Sequence, residues 1–322
     1  WKIAPALAYG NCVVFKPSEL VPALAHALTE IISRSGIPAG VFNLVMGRGE
    51  VVGSCIANSS KVHAVSFTGS ISTGRSVASA CVARMAKIQL EMGGKNPLVV
   101  LDDANLVTAV DCAVQGAFYS TGQRCTASSR LIVTSGIHDR FVEALSRRLM
   151  DLKTDHALKD GTDIGPVIDQ RQLDKDLGYI QVGIDEGATL KCGGEQVYRD
   201  TEGFYLPPVL FTNTHNDMRI NREEIFGPVA SVICVSNYDE ALSVANDTAF
   251  GLSAGIVTNS LKYASDFKRN VESGIVAVNL PTAGVDYHVP FGGTKNSSYG
   301  AREQGQYAKE FYTTVKTSYT KA

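Results

Sequence analysis

The sequence has no apolar run near the ~20 residues that a membrane-spanning helix needs; its longest, such as Val13-Val14-Phe15 and Leu98 to Leu101, are strand-sized. It has no charge excess either. Thirty Lys plus Arg stand against 32 Asp plus Glu, a net charge of −2. No global field therefore favours nucleic acid or an anionic membrane surface. The seven cysteines are odd in number, and no two are spaced as Cys-x-x-Cys. That pattern argues against a disulfide framework and a zinc knuckle, and for a reducing compartment, the cytoplasm. Heptads, low-complexity linkers, internal repeats and a secretory leader are also missing. Together these absences argue against a nucleic-acid architecture, a membrane protein, a coiled coil and a metal centre.

What is present is 322 residues, 44% hydrophobic and 19% charged, enough for about two domains with a large core. Strand-like and helix-like segments alternate. Asn11 to Phe15 reads as a strand, Pro22 opens a helix at its first position, and Ser35-Gly36-Ile37-Pro38 stops it. Further strands are predicted at Val41 to Val45 and Val62 to Phe67, with helices at Glu50 to Ala57 and about Ser72 to Lys87. After Gly93-Gly94 the rhythm restarts: a strand at Leu98 to Leu101, Asp103 as a helix cap, a helix over Leu106 to Tyr119, a strand at Arg130 to Thr134, and a helix over Asp139 to Leu152. Glu310 to Thr320, rich in Tyr, Thr and Val, reads as a last strand in need of a partner. The alternation implies an α/β fold with a parallel sheet covered on both faces.

Several places carry chemistry-bearing residues, each with an ordinary alternative. No Asp or Glu occurs between Val51 and Leu90, while Lys61, Arg75, Arg84 and Lys87 are basic. Phe67-Thr68-Gly69-Ser70 lies in that span, between a strand and a helix, where amides and a hydroxyl suit a phosphate; Ser70 is equally an N-cap. Gly47-x-Gly49-x-x-x-Gly53 lacks the dinucleotide-fold spacing and its acidic residue ~20 positions on. Glu19, with Lys16 beside it, is an alternative ribose-holding carboxylate, or a solvated turn. Glu91 stands in an apolar, Gly-flanked stretch where desolvation would raise its pKa toward general-base use, unless a Lys such as Lys95 pairs with it. Cys125 follows the polar loop Ser120 to Arg124 and is placed to open a short helix, conditions that favour a thiolate. The other six cysteines read as packing.

In this order the segments resemble the NAD(P)-dependent aldehyde dehydrogenase superfamily along the whole chain. Lys16-Pro17-Ser18-Glu19 is similar to the family's adenosine-ribose turn, Gly49 and Gly53 to the glycines on the adenine side, and Phe67-Thr68-Gly69-Ser70 to the pyrophosphate turn. Leu90-Glu91-Met92-Gly93-Gly94-Lys95 resembles the general-base motif and Gly122-Gln123-Arg124-Cys125 the nucleophile motif. Glu223-Glu224-Ile225-Phe226-Gly227-Pro228 is similar to the motif whose Glu224 holds the nicotinamide ribose and whose Phe226 lies near the ring. Pro290-Phe291-Gly292-Gly293-Thr294-Lys295 resembles the loop at the substrate mouth.

The resemblance implies a parallel-sheet cofactor domain, incomplete here, over residues 1–93. It implies an α/β catalytic domain over 94–298 and a tail with an oligomerisation strand over 299–322, serving a homodimer or homotetramer. Cys125 would attack an aldehyde, hydride would pass to NAD or NADP, and Glu91 would activate water to release the acid. Glu19 would repel a 2′-phosphate and so favours NAD. The stretch from Asn279 to Gly293, with Ser297-Ser298-Tyr299-Gly300 and Arg302-Glu303-Gln304-Gly305, is most similar to 2-oxoglutarate semialdehyde (2,5-dioxopentanoate) dehydrogenases; another semialdehyde, betaine aldehyde or lactaldehyde is the alternative. A carboxylate substrate calls for a cation, with Arg124 and Lys295 as candidates and Phe291 beside the mouth. The family's upstream Pro-Trp-Asn oxyanion motif is not among these residues, so the chain reads as a C-terminal portion, inactive or unstable alone. A non-catalytic nucleotide-binding remnant is the competing class.

Overall fold

The computed structural model describes residues 1–322, which divide into two compact units. The first comprises Trp1–Met92, Val285–Gly292 and Ser298–Ala322; the second comprises Gly93–Gly284 and Gly293–Ser297. No helix is long and apolar enough to cross a membrane.

The first unit opens with α1 (Ile3–Ala8), β1 (Val13–Phe15), α2 (Pro22–Arg34) and β2 (Phe42–Leu44). Pro22 begins α2, as expected of a residue with no N–H to leave unpaired. β1 and β2 pair in parallel from Val13 against Phe42. The predicted helix over 50–57 starts as a π-helical turn, Gly49–Gly53, before α3 (Ser54–Asn58). β3 (Ala64–Thr68) and α4 (Ile71–Val82) follow, and β4 (Lys87–Glu91) lies parallel to β3. The helix expected to reach Lys87 thus stops five residues early. Met85 takes a positive φ of 58°, which breaks the helix and turns the chain into β4.

The second unit is built on a seven-stranded sheet. Its elements are β5 (Asn96–Val100), α5 (Leu106–Ala113), β6 (Ser128–Thr134), α6 (Ser135–Met150), α7 (Gln170–Asp185), β7 (Thr189–Cys192), β8 (Val209–Thr212), α8 (Arg219–Arg222), β9 (Val229–Val235), α9 (Tyr238–Asn246), β10 (Phe250–Gly251), β11 (Ser253–Val257), α10 (Leu261–Asn270), β12 (Ile275–Val278) and β13 (Thr294–Lys295). The strand order is β12-β11-β5-β6-β9-β8-β7, parallel throughout except for the β7–β8 edge. Successive side chains on a strand face opposite ways, so Leu98 and Val100 pack with Phe118, Phe141 and Leu145 on one face. Val99 and Leu101 pack with Ile256 and Phe267 on the other. A third cluster joins α7 and α8 to β8 and β9 through Leu173, Phe211 and Ile225. Each such side chain contributes roughly 1.5–3 kcal/mol on burial.

Two local expectations in this unit are corrected. The N-cap of α5 is Asn105, which accepts from Thr108 N at 3.0 Å. Asp103 instead accepts from Thr258 Oγ1 at 2.8 Å and Asn259 N at 3.1 Å, partners more than 150 residues away that no local pattern reveals. The helix expected to run to Tyr119 is regular only to Ala113 and then widens into a π-helical turn, Val114–Phe118.

The chain then returns to the first unit as β14 (Ser298–Tyr299), antiparallel to β4, and α11 (Ala308–Tyr312). The strand expected over 310–320 is not there. Ala308 and Phe311 are buried on one face of α11. Lys87 Nζ donates to the carbonyls of Glu310, Phe311 and Thr313 at 3.0, 3.2 and 2.5 Å, a cation at a helix C-terminus. Residues 313–322 have no regular structure.

Candidate active site

In the first unit the candidate residues gather at the C-terminal ends of strands. Lys16 and Glu19 form an ion pair of 3.1 Å on the turn after β1, with Ser18 between them accepting from Leu20 N. A Cβ at Gly49 would come within 3.9 Å of Lys16 Nζ, and one at Gly53 would meet nothing within 4 Å. The chain's own packing therefore does not require Gly53, and open space lies beside it. Ser70 is the N-cap of the twelve-residue α4, accepting from Thr73 N at 3.3 Å. The capping reading holds, and the hydroxyl still stands at a helix N-terminus suited to an anion. Gly69 has no room for a side chain: its Cβ would lie 2.5 Å from the Phe67 ring. Gly69 N donates to the Glu91 carbonyl at 3.1 Å, which joins this turn to the end of β4.

Glu91 ends β4 with its side chain buried. Its carboxyl accepts from Ser298 Oγ at 2.7 Å. Burial pushes its pKa up to about 7; the Ser298 bond opposes the shift and the nearby Glu303 adds to it. Lys2 forms an ion pair with Glu303 and also donates to Ser66 Oγ at 2.9 Å. Phe291 is buried against Trp1, ring centroids 4.9 Å apart, and its backbone pairs with that of Glu303. The sequence places Ser298 only within the substrate-type stretch; its bond to Glu91 is not legible there, because a two-residue strand brings it from 207 positions away.

In the second unit four short segments converge around Cys125. The approach is strained. Ser120, Thr121 and Gly122 all have positive φ, 55°, 58° and 64°, although only glycine takes this region without cost. The loop is pinned from outside, with Thr121 Oγ1 donating to Gly165 O at 3.0 Å and Ile168 N donating to Gln123 Oε1 at 2.9 Å. Cys125 follows in a turn, not at the start of a helix, so the expected helix-terminus effect on its thiol does not operate. Its carbonyl accepts from Asn96 Nδ2 at 2.8 Å, and that amide also holds Ala127 O at 2.8 Å. Gly94 lies so close that a Cβ there would fall 2.7 Å from the Cys125 carbonyl oxygen. Asn96, directly after the Gly93-Gly94-Lys95 motif, was not singled out by the sequence.

Glu224 is brought to the same place. It accepts from Gly94 N at 2.9 Å, and a Cβ at Gly93 would collide with its carboxylate at 2.3 Å. Burial raises its pKa, and the Gly94 bond opposes the shift. Phe226 adopts φ +68° and exposes 36% of its surface. Gly122 packs on the following residue, where a Cβ would lie 2.2 Å from Gly227 O. A small cavity here is lined by Gly94, Gly122, Arg124, Glu224 and Phe226 among others. Arg124 donates to Gln115 O, its Nε is buried without a partner, and burial lowers its pKa. Lys295 is engaged elsewhere, paired with Glu272 at 2.7 Å. Lys95 is buried, and desolvation chiefly, helped by Arg130, brings it down to about 7.

Taken separately, the glycine-lined pocket of the second unit with its anchored carboxylate suits a polar ligand group, and the helix N-terminus of the first unit suits an anion. Comparison with known proteins agrees. A family model described as "Aldehyde dehydrogenase family" matches residues 1–318. The chain is 46% identical to an alpha-ketoglutaric semialdehyde dehydrogenase of Bacillus subtilis, over 100% of this chain and 66% of that protein. It is 42% identical to a 2,5-dioxopentanoate dehydrogenase of Saccharolobus solfataricus, over 99% and 67%. Among solved structures it is similar to betaine aldehyde dehydrogenase from Staphylococcus aureus in complex with NAD+. That match has a TM-score of 0.94 and 37% identity, and covers 97% of this chain and 62% of that one. The chain thus spans about two thirds of the length of the proteins it matches.

Proposed function

The chain belongs to the aldehyde dehydrogenase family, and from that premise we propose that the protein carrying it oxidises an aldehyde to a carboxylic acid with NAD(P)+. The observation that carries this reading is the convergence on Cys125: a strained left-handed approach from Ser120 to Gly122, a carbonyl held by Asn96, and Glu224 anchored on Gly94. Strain of about 1–3 kcal/mol per residue persists only where the surroundings enforce it, and it concentrates at functional sites.

Lys16, Ser18, Glu19, Gly49, Gly53, Phe67, Gly69 and Ser70 would hold the adenosine and pyrophosphate portion of the cofactor, and Glu224 and Phe226 the nicotinamide portion. When bound, the cofactor supplies the hydride acceptor. Cys125 Sγ bonds to the aldehyde carbon to give a thiohemiacetal, and once hydride has left, the acyl group remains on sulfur as a thioester. Glu91 takes a proton from water, hydroxide adds to the thioester carbon, and the C–S bond breaks to release the acid and the thiolate. A carboxyl with a pKa of about 7 suits that task, being basic enough to take the proton and about half ionised at neutral pH.

For the substrate we favour 2-oxoglutarate semialdehyde. Arg124, with its buried and unpartnered Nε, supports an anionic substrate over the quaternary ammonium of betaine aldehyde, which it would repel. Glu19 supports NAD over NADP. Residues 1–93 are assigned to the cofactor domain, 94–298 to the catalytic domain and 299–322 to the tail. Exposed Val315 and Tyr319 support a tail that meets a neighbouring subunit of a homodimer or homotetramer, and the odd cysteine count supports a cytoplasmic setting.

The test is NADH formation from 2-oxoglutarate semialdehyde and from betaine aldehyde, alongside iodoacetamide labelling mapped by mass spectrometry. The reading expects a kcat/KM preference for the semialdehyde that Arg124→Leu removes, and labelling at Cys125 that NAD+ slows. No NADH from any aldehyde, with labelling spread evenly over the seven thiols, would leave a nucleotide-binding remnant instead.

A further inference from the structure

Beneath the turn that carries Glu224 and Phe226 lies a carboxyl that the proposed chemistry does not use. Asp176, on α7, is fully buried. Its Oδ1 accepts from Gln172 Nε2 at 2.7 Å, and the same amide donates to Ile225 O at 3.0 Å. Its Oδ2 is buried with no partner and packs directly under Gly227, where a Cβ would fall 2.2 Å from it. Gly227 in turn carries Gly122 on its carbonyl. The stack runs from α7 through the Phe226-Gly227 turn to the loop that leads into Cys125, with no room for one added carbon at Gly122 or Gly227. A merely structural filler of this space would be apolar, because a half-satisfied buried carboxyl is costly.

We propose that Asp176 and Gln172 form a positioning brace, set by the protonation state of Asp176, that holds the Ile225–Gly227 turn in register for the nicotinamide half of the cofactor. This rests on the aldehyde dehydrogenase reading for what the turn binds, and on the geometry alone for the brace itself. Burial pushes the Asp176 pKa up to about 7, against the Gln172 bond and the ammonium of Lys175. Of the other charged groups nearby, Glu224 on the turn and Lys95 before β5 act on each other and on Lys175. Below pH 7 the neutral acid sits uncharged under Gly227. Above it, a bare negative charge forms against the turn and loosens it. The turn is therefore firm in acid and looser in alkali, opposite in sense to the ionisation that Glu91 needs.

The experiment measures, in the protein carrying this chain, amide hydrogen exchange at Ile225–Gly227 and the Kd for NAD+ from pH 6 to 8.5. Exchange rates are corrected for the intrinsic pH dependence. The brace predicts that protection falls and Kd weakens about 5- to 10-fold across that range, the loss of one buried hydrogen bond's worth of order. Asp176→Asn, which stays neutral, should keep the acid-form protection at both ends and flatten the Kd profile. Gln172→Leu should lose protection at every pH. The proposal is overturned if Asp176→Asn keeps the wild-type pH slope, or if Gln172→Leu leaves exchange at 225–227 unchanged. Absence of NAD+ binding at all pH values would instead refute the cofactor reading, and the exchange data would still decide the brace.

Discussion

In the second unit, β5 and the residue that follows it send Leu98 and Val100 to one face and Val99 and Leu101 to the other, none more than 3% exposed. In the first, β1 leaves Val14 48% exposed, and α2 buries only Ala25 while Leu24, Leu28 and Ile31 lie open. Among the residues buried in the first unit, Ala6, Ala25, Ala57, Cys81 and Ala308 are small, and only Leu90, Met92, Phe291 and Phe311 are large and apolar. Apolar burial scales with area, so the scaffold that strains the approach to Cys125 is the better-stabilised of the two. The region that offers the Lys16–Glu19 turn has little core of its own. Strain is affordable where packing is dense; open glycine-lined turns need less.

The sharpest way to break this contrast is to separate chemistry from stability at each unit's key residue. Cys125→Ser should cut turnover by about 10⁴-fold or more, as loss of a nucleophile does, while the thermal midpoint stays put because the side chain is not part of a core cluster. Glu91→Gln should cost about 10²–10⁴-fold and leave a burst of NADH followed by a stalled acyl-enzyme, visible by mass spectrometry.

The pH dependence of Glu91 carries two opposite signs. Its folded pKa of about 7 lies above the ordinary carboxyl value of 4.5. As pH rises through that window the unfolded state ionises first, so stability is lost. In the role proposed for Glu91 the ionised form is the active one, so kcat should fall about tenfold per pH unit below 7. Glu91→Gln should accordingly raise the melting temperature at pH 8 and leave it unchanged at pH 4. An equal shift at both pH values would contradict the buried-acid assignment.

The smallest arm compares packing directly. Leu98→Ala should destabilise the second unit by roughly 2–5 kcal/mol, measured by denaturant unfolding. Leu24→Ser, on the open face of α2, should fall within about 0.5 kcal/mol. Comparable losses at the two sites would mean that the two units do not differ in this way.

Much of this was legible because it is local. Pro22 announces a helix start, Leu98 to Leu101 a buried strand, and Ser70 a cap. Motif order drew attention to Glu91, Cys125 and Glu224. What was illegible depends on distant partners. Asp103 looks like a cap until Thr258 engages it, and Ser298 has no link to Glu91 until β14 pairs with β4. Ser120 and Thr121 are not residue types that signal a left-handed backbone; bonds between Thr121 and Gly165 and between Ile168 and Gln123 hold the loop they belong to. Glu310 to Thr320 has strand-like composition, yet Lys87 and the burial of Phe311 make its beginning helical.

The antiparallel pairing of β14 with β4, and the grip of Lys87 on the carbonyls of α11, also set an order of events during synthesis. Residues 93–284, with only a five-residue return at 293–297, supply the second unit, so its core can close while the last part of the chain is still on the ribosome. The first ninety-two residues emerge earlier but wait for Ser298 and for residues 308–313. The hydroxyl that steadies Glu91 is translated 207 residues after it. A nascent chain therefore carries Glu91 long before the hydroxyl that hydrogen-bonds its carboxyl.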